Sequence, residues 1–521
     1  MAKKEKEKPI EVQLWAYCNK LRGNVDSSEY KHIMLSLIFL KYVNDKFDEH
    51  REKLIANGDE DFLEMVAFYK QDNVIFIPEE ARWKYLMKNA KQDEITLILD
   101  TALASIEAKN PSLKGALPNN YFSRLQLSKT TIASLLDKMN EVKLDMANDK
   151  DLFGRIYEYF LKKFSMNEDR SKGEFYTPNT IVRLLCDLVE PYEGIVYDGA
   201  CGSGGMFVNS MEFIEAHKGN SKLLTVVGQE ANLTTLKLAK MNLAIRGINY
   251  DLGEKAASTF TEDQHKDLKA DYILMNPPFN YKNWYTKDLE KDPRWKGFDA
   301  IPPEGNANYA WLLNMLSKLS DDGFGCMLLA NGALSAGDTH ESADYKIRKK
   351  LIEDDRIEAI IVLPRDMFYS TDISVTVWVM TKNKKARTYN GRNLRNRENE
   401  ILFIDYRQGG HLDADKYTEL NADDRKEIAD IYHNWQSTDL KDSFNYAVPE
   451  LYKSVKKDEI AAQDYVLQPS KYIEFIDHDL EIDYEKEMAR IQKEMKEILS
   501  TEKESQKMLI KAFEGIGYGI E

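Results

Sequence analysis

The chain has 521 residues, 43% hydrophobic and 31% charged, a composition that excludes intrinsic disorder and exceeds what one hydrophobic core organises, so two or three structural units are expected. No apolar run approaches the ~20 residues needed to cross a bilayer, and the opening MAKKEKEKPI lacks the apolar stretch of a secretory signal, so no membrane association and a cytoplasmic location are expected. The formal net charge of -15 works against a direct grip on a polyanion such as duplex DNA, whose affinity rests on neutralising cations, unless a partner subunit supplies most of that contact.

In chain order, residues 11–47 carry apolar residues at helical steps, among them Ile33, Leu37, Leu40 and Val43. Short helical patterns continue to about Val142. Residues 151–164 (DLFGRIYEYFLKKF) form another amphipathic helix with Phe153, Ile156, Tyr157, Phe160 and Phe164 on one side. The rhythm then changes. Apolar runs of strand length at 195–198, 223–230, 272–279, 325–331, 357–363 and 373–380 alternate with helical segments, which predicts a largely parallel α/β sheet. The last two runs leave no room for a crossover helix, so an antiparallel pair at the sheet edge is expected. Residues 382–398, KNKKARTYNGRNLRNRE, read either as a solvated hairpin tip or as a phosphate-contacting loop. Near the end, Tyr484, Met488, Ile491, Met495 and Ile498 alternate steps of four and three, a coiled-coil seam that could cover its own domain or a partner helix. Cys18, Cys186, Cys201 and Cys326 lack CxxC spacing, so neither a zinc site nor a disulfide framework is suggested, and reduced, mostly buried thiols are expected.

A glycine-rich turn, DGACGSGG at 198–205, follows the strand-like IVYD and opens a helical pattern. Such a turn lets the backbone approach a small polar ligand and aims amides at it. The glycines fall as GxxGxGG rather than in dinucleotide spacing, and Glu230 closes the next strand, where a carboxylate can accept hydrogen bonds from both hydroxyls of a ribose. The pair selects a nucleoside-bearing cofactor.

Asn276, Pro277, Pro278 and Phe279 stand at the end of a predicted central strand, where open α/β sheets hold their ligands. The prolines stop the ladder. The amide oxygen of Asn276 and the carbonyl of Pro277 are two acceptors for the hydrogens of a planar exocyclic amine, and gripping both favours a pyramidal nitrogen that can attack a sulfonium methyl in line. Phe279 offers a stacking face for a base, a contact worth roughly 1–3 kcal/mol. A target nitrogen inside a duplex would have to be flipped out.

These motifs resemble the amino-methyltransferases of DNA, and the resemblance implies S-adenosylmethionine as cofactor. It also implies that Asn276 and Pro277 bind the target amine within the tetrad 276–279, that Phe279 stacks on the flipped base, and that Glu230 holds the ribose. Asp198, Ala200, Gly202, Ser203, Gly204 and Gly205 then form the cofactor loop, and GEFYTP at 173–178 puts Phe175, Tyr176 and Thr177 near the methionine end. An Asn-led tetrad implies adenine N6 rather than cytosine N4 as the target. The helical N-terminal part, KGEFYTP soon after DLFGRIYEYFL, GNANYAW at 305–311 and the helical tail are more specifically similar to the modification subunits of type I restriction-modification systems. That likeness covers nearly the whole chain. It implies double-stranded DNA, a separate specificity subunit, a second modification subunit and a restriction subunit as partners. It also implies three parts: a helical domain at 1–150, a Rossmann-like methyltransferase domain at 151–475 and a helical tail at 476–521.

Other chemistries fit less well. A cytosine C5 enzyme needs a nucleophilic cysteine, usually after proline, and no cysteine here follows one. Protein-glutamine and RNA-guanine methyltransferases share such tetrads but lack this helical domain and tail, and a binding module with a relic site would not need both motifs intact. Two stretches stay open. GEKAASTFTEDQH at 253–265 leaves the contact to the cofactor's adenine ring unassigned, and the segment 280–298, with Lys282, Arg294, Lys296, Trp284, Tyr285 and Trp295, is either a mobile DNA-facing loop or a packed surface loop.

Overall fold

The computed structural model describes residues 9–19, 27–118, 120–124, 128–141, 152–165, 177–368, 373–413, 416–476 and 484–515. The chain divides into two compact units, Met1–Ile473 and Glu474–Glu521.

Seven helices form the N-terminal part among the described residues: α1 (Ile10–Asn19), α2 (Ser27–Asn57), α3 (Val66–Gln71), α4 (Trp83–Asn89), α5 (Ile95–Lys109), α6 (Lys129–Glu141) and α7 (Leu152–Ser165). Their three- and four-residue apolar spacing becomes one core. Ile33, Leu37, Leu40 and Val43 of α2 are buried with Ile156, Tyr157, Phe160 and Phe164 of α7; the side chain of Phe153 lies outside the described residues. Polar groups inside that core are satisfied locally. The buried Asn44 side chain donates to the Leu40 and Ala81 carbonyls and accepts the Trp83 amide, so its burial carries little desolvation cost.

The sheet has ten strands: β1 (Gly194–Asp198), β2 (Leu224–Gly228), β3 (Tyr250–Asp251), β4 (Ala270–Met275), β5 (Leu319–Ala330), β6 (Ile357–Val362), β7 (Val375–Thr381), β10 (Glu400–Asp405), β13 (Ala447–Val448) and β14 (Tyr452–Lys456). Two small hairpins lie outside it, β8 (Arg387–Tyr389) with β9 (Arg392–Leu394), and β11 (His411–Leu412) with β12 (Thr418–Glu419). The order is β13-β14-β10-β6-β7-β5-β4-β1-β2-β3. From β5 to β3 every pairing is parallel, while β7 runs antiparallel to both β5 and β6. Successive residues face opposite layers, as the pleat requires. Val375, Val377 and Val379 pack on one side with α8 (Asn179–Val189), α9 (Gly205–Ala216) and α13 (Ala422–Gln436); Trp378 and Met380 pack on the other with α11 (Asn308–Lys318) and α12 (Ala343–Glu353). The helix after β2, α10 (Leu233–Ile245), belongs to both parts: Leu236, Ala239 and Leu243 face the sheet, whereas Leu238, Met241 and Ala244 enter the helical core. Tyr157 Oη donates to the Leu238 carbonyl across that junction at 3.2 Å.

Two expectations need correction. The antiparallel pair of 357–363 and 373–380 exists, with Ile360 opposite Trp378, but it lies inside the sheet. β10 pairs parallel to β6 and carries β14 and β13 beyond it. The basic stretch 382–398 does form a hairpin, with Asn390 and Gly391 at φ of 48° and 75°, the left-handed pair of a type I′ turn. Its cations turn inward, which removes the phosphate-contacting reading for most of them. Lys384 pairs with Asp355 at 2.8 Å, Arg397 with Glu358 at 2.7 Å, Arg395 with Glu400 at 2.8 Å and Arg392 with Glu190 at 2.7 Å.

Among the described residues the second unit holds one regular element, a helix over Tyr484–Gly515. Taken by itself it has no neighbour to cover the apolar stripe of Tyr484, Met488, Ile491, Met495 and Ile498. Cys186, Cys201 and Cys326 are buried free thiols; the side chain of Cys18 lies outside the described residues. Among those residues, no helix is long and apolar enough to cross a membrane.

Candidate active site

The chain leaves β1 at Asp198, turns through residues 199–204 and enters α9 at Gly205. Gly202 and Gly204 sit at φ of +53° and +81°, where an L side chain is strained. The turn is braced from within. Ala200 N donates to Asp198 Oδ1 at 2.9 Å, Asn242 Nδ2 donates to the Ser203 carbonyl at 2.9 Å, and the Thr259 hydroxyl donates to the Gly199 carbonyl. Glu230, just past β2, accepts Gly202 N on Oε2 at 3.0 Å and Asn232 N on Oε1 at 2.8 Å, which fixes its orientation while a carboxylate keeps further acceptor positions. Asp198 is 2% exposed. Burial pushes its carboxyl up to about 8, with the Ala200 N–H opposing and the nearby Glu230 charge adding to the rise. Two carboxylates beside a glycine turn suit a ligand that carries both positive charge and hydroxyl donors, as S-adenosylmethionine does.

Asn276 follows β4, and β4 runs parallel to β1, so the tetrad and the glycine turn lie at the same end of the sheet. Thr177 organises the amide: Asn276 Nδ2 donates to Thr177 Oγ1 at 2.7 Å. The other end, Oδ1, is buried and has no hydrogen-bond partner among the described residues. An unmade bond of that kind costs about 1–3 kcal/mol, a cost that a donor from a bound ligand would relieve. Pro277 is buried and Pro278 half-buried. The half-buried Phe279 ring meets the edge of Phe368 at a centroid distance of 5.9 Å and 79°, an arrangement favoured by aromatic quadrupoles. Phe175 and Tyr176 lie outside the described residues.

Several supporting residues escape a linear reading. Thr177 and Asn276 lie 99 positions apart. The stretch left open at 253–265 braces the segment beside the glycine turn: Ala257 N donates to the Glu230 carbonyl at 3.0 Å, and Gln229 Nε2 donates to the Ala257 and Glu262 carbonyls at 3.0 and 2.8 Å. The only sequence signal was Gln229 itself, beside Glu230. Segment 280–298 is packed around Trp284 and Trp295, 1% and 4% exposed. Arg294 faces inward, paired with Asp292 at 2.6 Å and donating to the Thr259 and Phe260 carbonyls at 2.8 Å and to Asn314 Oδ1 at 3.0 Å. Arg294 is therefore an internal brace, which corrects its reading as a DNA contact; Lys282 and Lys296 are exposed.

A family model for N-6 DNA methylases matches residues 148–480, and one for the HsdM N-terminal domain matches residues 10–139. The type I restriction enzyme HindI methylase subunit of Haemophilus influenzae is 36% identical over 465 residues, covering 85% of this chain and 100% of that one. The MjaIX methylase subunit of Methanocaldococcus jannaschii is 31% identical over 529 residues, 98% of this chain and 92% of its own. The crystal structure of a type I restriction-modification methyltransferase subunit from Streptococcus thermophilus shares the fold, with a TM-score of 0.71 at 22% identity, covering 89% of this chain and 99% of that one. A domain match across both parts and a likeness that spans whole relatives lead to one conclusion: this chain belongs to the N-6 DNA methylases, among the methylase subunits of type I restriction enzymes.

Proposed function

We propose that the chain transfers a methyl group from S-adenosylmethionine to the N6 amine of an adenine flipped out of double-stranded DNA, as the modification subunit of a type I restriction-modification complex. The observation that carries the reading is the buried, unpartnered Oδ1 of Asn276, oriented by Thr177 beside the glycine turn.

Asn276 Oδ1 accepts one hydrogen of the target amine and the Pro277 carbonyl accepts the other, which holds the nitrogen pyramidal. Pro278 keeps the turn rigid, and Phe279 stacks on the extruded base. When bound, the cofactor supplies an electrophilic methyl on its sulfonium. Glu230 would orient the ribose, Asp198 with Ala200 and Gly202–Gly205 would form the wall of the cofactor loop, and Thr177 would serve the methionine end; Phe175 and Tyr176, expected in the same role, fall outside the described residues. An amine nitrogen held in this way would bond the methyl carbon as the carbon–sulfur bond breaks to leave a neutral thioether, and its surplus proton would pass to solvent, so no strong general base is needed. Most of the acceleration comes from holding the two reactants in line, an effect of on the order of 7–11 kcal/mol.

The division of labour follows the segments 1–150, 151–475 and 476–521. The tail packs its apolar stripe on helices of a separate specificity subunit, which also supplies most of the DNA contact that a chain of net charge -15 lacks. A second modification subunit and a restriction subunit complete the assembly, in the cytoplasm. Methyl transfer from labelled cofactor to unmethylated DNA is expected with the specificity subunit present and to fall to background without it; transfer only to RNA or protein overturns the reading.

The buried Asp198 gives cofactor binding a pH dependence. A cationic ligand favours the ionised carboxylate, so binding pulls the group down from about 8 and releases a proton. Affinity should therefore rise as pH climbs towards 8 and level off above it. Calorimetry at pH 7 in buffers of different ionisation enthalpy is expected to register release of most of one proton, a signal absent in Asp198→Asn.

A further inference from the structure

The residue after the tetrad, Asn280, is held in a way that neither the family models nor the reaction itself accounts for. Its backbone is left-handed, at φ of 53°, a conformation that costs most side chains ~1–2 kcal/mol but that Asn, Asp and Gly adopt more readily. This reversal comes directly behind Phe279. Asn308, the first residue of α11, grips Asn280 twice: its Oδ1 accepts the Asn280 amide at 3.0 Å and its Nδ2 donates to Asn280 Oδ1 at 2.9 Å. Asn306 adds a second donor to the same Oδ1 at 3.0 Å and accepts the Asn308 amide at 2.9 Å. Ala307 N closes the arrangement on the Tyr281 carbonyl at 3.0 Å.

The anchor is rigid. Asn308 is 4% exposed, and Tyr309 through Leu313 behind it are buried in the sheet's second core layer. The turn carrying Pro277, Pro278 and Phe279 is thus tied at its far end to the start of a core helix, whereas its near end is held by β4.

We propose that Asn280, Asn306 and Asn308 form a positioning clamp that sets the ring plane of Phe279 and the direction of the Pro277 carbonyl for an incoming adenine. The inference rests on the reading of the tetrad given above. The three asparagines touch neither reacting atom, and they act through the turn between them and Asn276. Every side-chain bond that Asn280 makes to the other two uses its Oδ1 as acceptor. Aspartate retains that acceptor and tolerates the left-handed backbone; glycine tolerates the backbone and loses the acceptor.

That difference supplies the test, made on the full chain assembled with its specificity subunit and unmethylated DNA. Asn280→Gly is expected to lower kcat by about 100-fold, the scale of a misplacement near 1 Å, with cofactor Kd and the KM for DNA within about twofold of the parent, since a positioning loss falls on the chemical step. Asn280→Asp should recover most of the loss. Asn306→Ala, which removes one donor and leaves the Asn308 pair, should cost about tenfold, in keeping with one hydrogen bond. Parental turnover in Asn280→Gly, or equal slowing in the Gly and Asp variants, overturns the clamp, as does a loss in Asn280→Gly or Asn306→Ala that appears as weakened cofactor binding or a lowered melting temperature rather than in kcat. Asn276→Ala separates the two readings: if it is inactive while Asn280→Gly turns over normally, only the clamp is wrong, and if it is fully active the tetrad reading fails first.

Discussion

Replacing Asn276 by alanine is expected to lower single-turnover methyl transfer by about 100- to 1000-fold, the usual cost of removing one preorganised polar group from a reaction centre. The side chain does two things that alanine cannot. It leaves Oδ1 as a buried acceptor, and it is itself oriented by the 2.7 Å bond from Nδ2 to Thr177 Oγ1. The native protein already carries the penalty of that unpaired oxygen, so the variant should melt at or slightly above the parental temperature. Loss of rate without loss of stability marks a group held for its ligand. Thr177→Val isolates the orientation: the acceptor stays but its partner is lost, and an intermediate rate is expected. Cofactor affinity, measured by calorimetry, should be unchanged in Asn276→Ala. A variant that folds, binds cofactor and still methylates adenine at the parental rate would remove the basis of the mechanism.

The largest effect on stability is expected from Arg397→Ala. Arg397 and Glu358 are both fully buried and joined at 2.7 Å, with Gln436 Nε2 donating to the same carboxylate oxygen at 3.0 Å. Burial by itself would raise the Glu358 carboxyl, but Arg397 and Lys384 outweigh it and hold the group below its ordinary value. Removing one partner of a buried pair leaves an uncompensated charge in the core, at a cost of ~3–5 kcal/mol. The sign with pH is definite. In the parent the lowered carboxyl contributes stability above its unfolded pKa, and that contribution is lost as pH falls through the folded value. In the variant Glu358 is raised instead, so the protein regains stability as the group protonates. The gap between parent and variant should be widest at pH 7 to 8 and narrow towards pH 5, as read by thermal or denaturant melts of the full chain. The double change Arg397→Met with Glu358→Leu is expected to recover much of the loss, because no charge is left buried. A gap that widened at low pH would show that the pair is not what holds this region.

The inward-turned hairpin also bears on the acidic charge of the chain. The basic stretch 382–398 turns most of its cations onto carboxylates of the sheet and its neighbours, Lys384, Arg392, Arg395 and Arg397 among them, so those four do not serve as phosphate contacts. The net charge of -15 is thus not offset by a cationic patch there, which agrees with a subunit that relies on another chain for most of its grip on DNA.

What the sequence alone determined is the set of features whose physics is local. Helical spacing named Ile33, Leu37, Leu40 and Val43 as core. A strand followed by GxxGxGG placed the glycine turn between β1 and α9, and two prolines after an apolar run placed the end of β4. In each case the residues that decide the conformation are neighbours in the chain. Other features depend on partners far apart in the chain and emerge on folding: that β6 and β7 are interior because β10 pairs with β6, that Arg294 and Arg397 point inward, that Thr177 orients an amide 99 residues away, and that Asn308 holds Asn280 across 28 positions. A charge or an amide looks the same in the sequence whether its partner is water or another side chain; only folding brings the partner within hydrogen-bonding distance and removes the water.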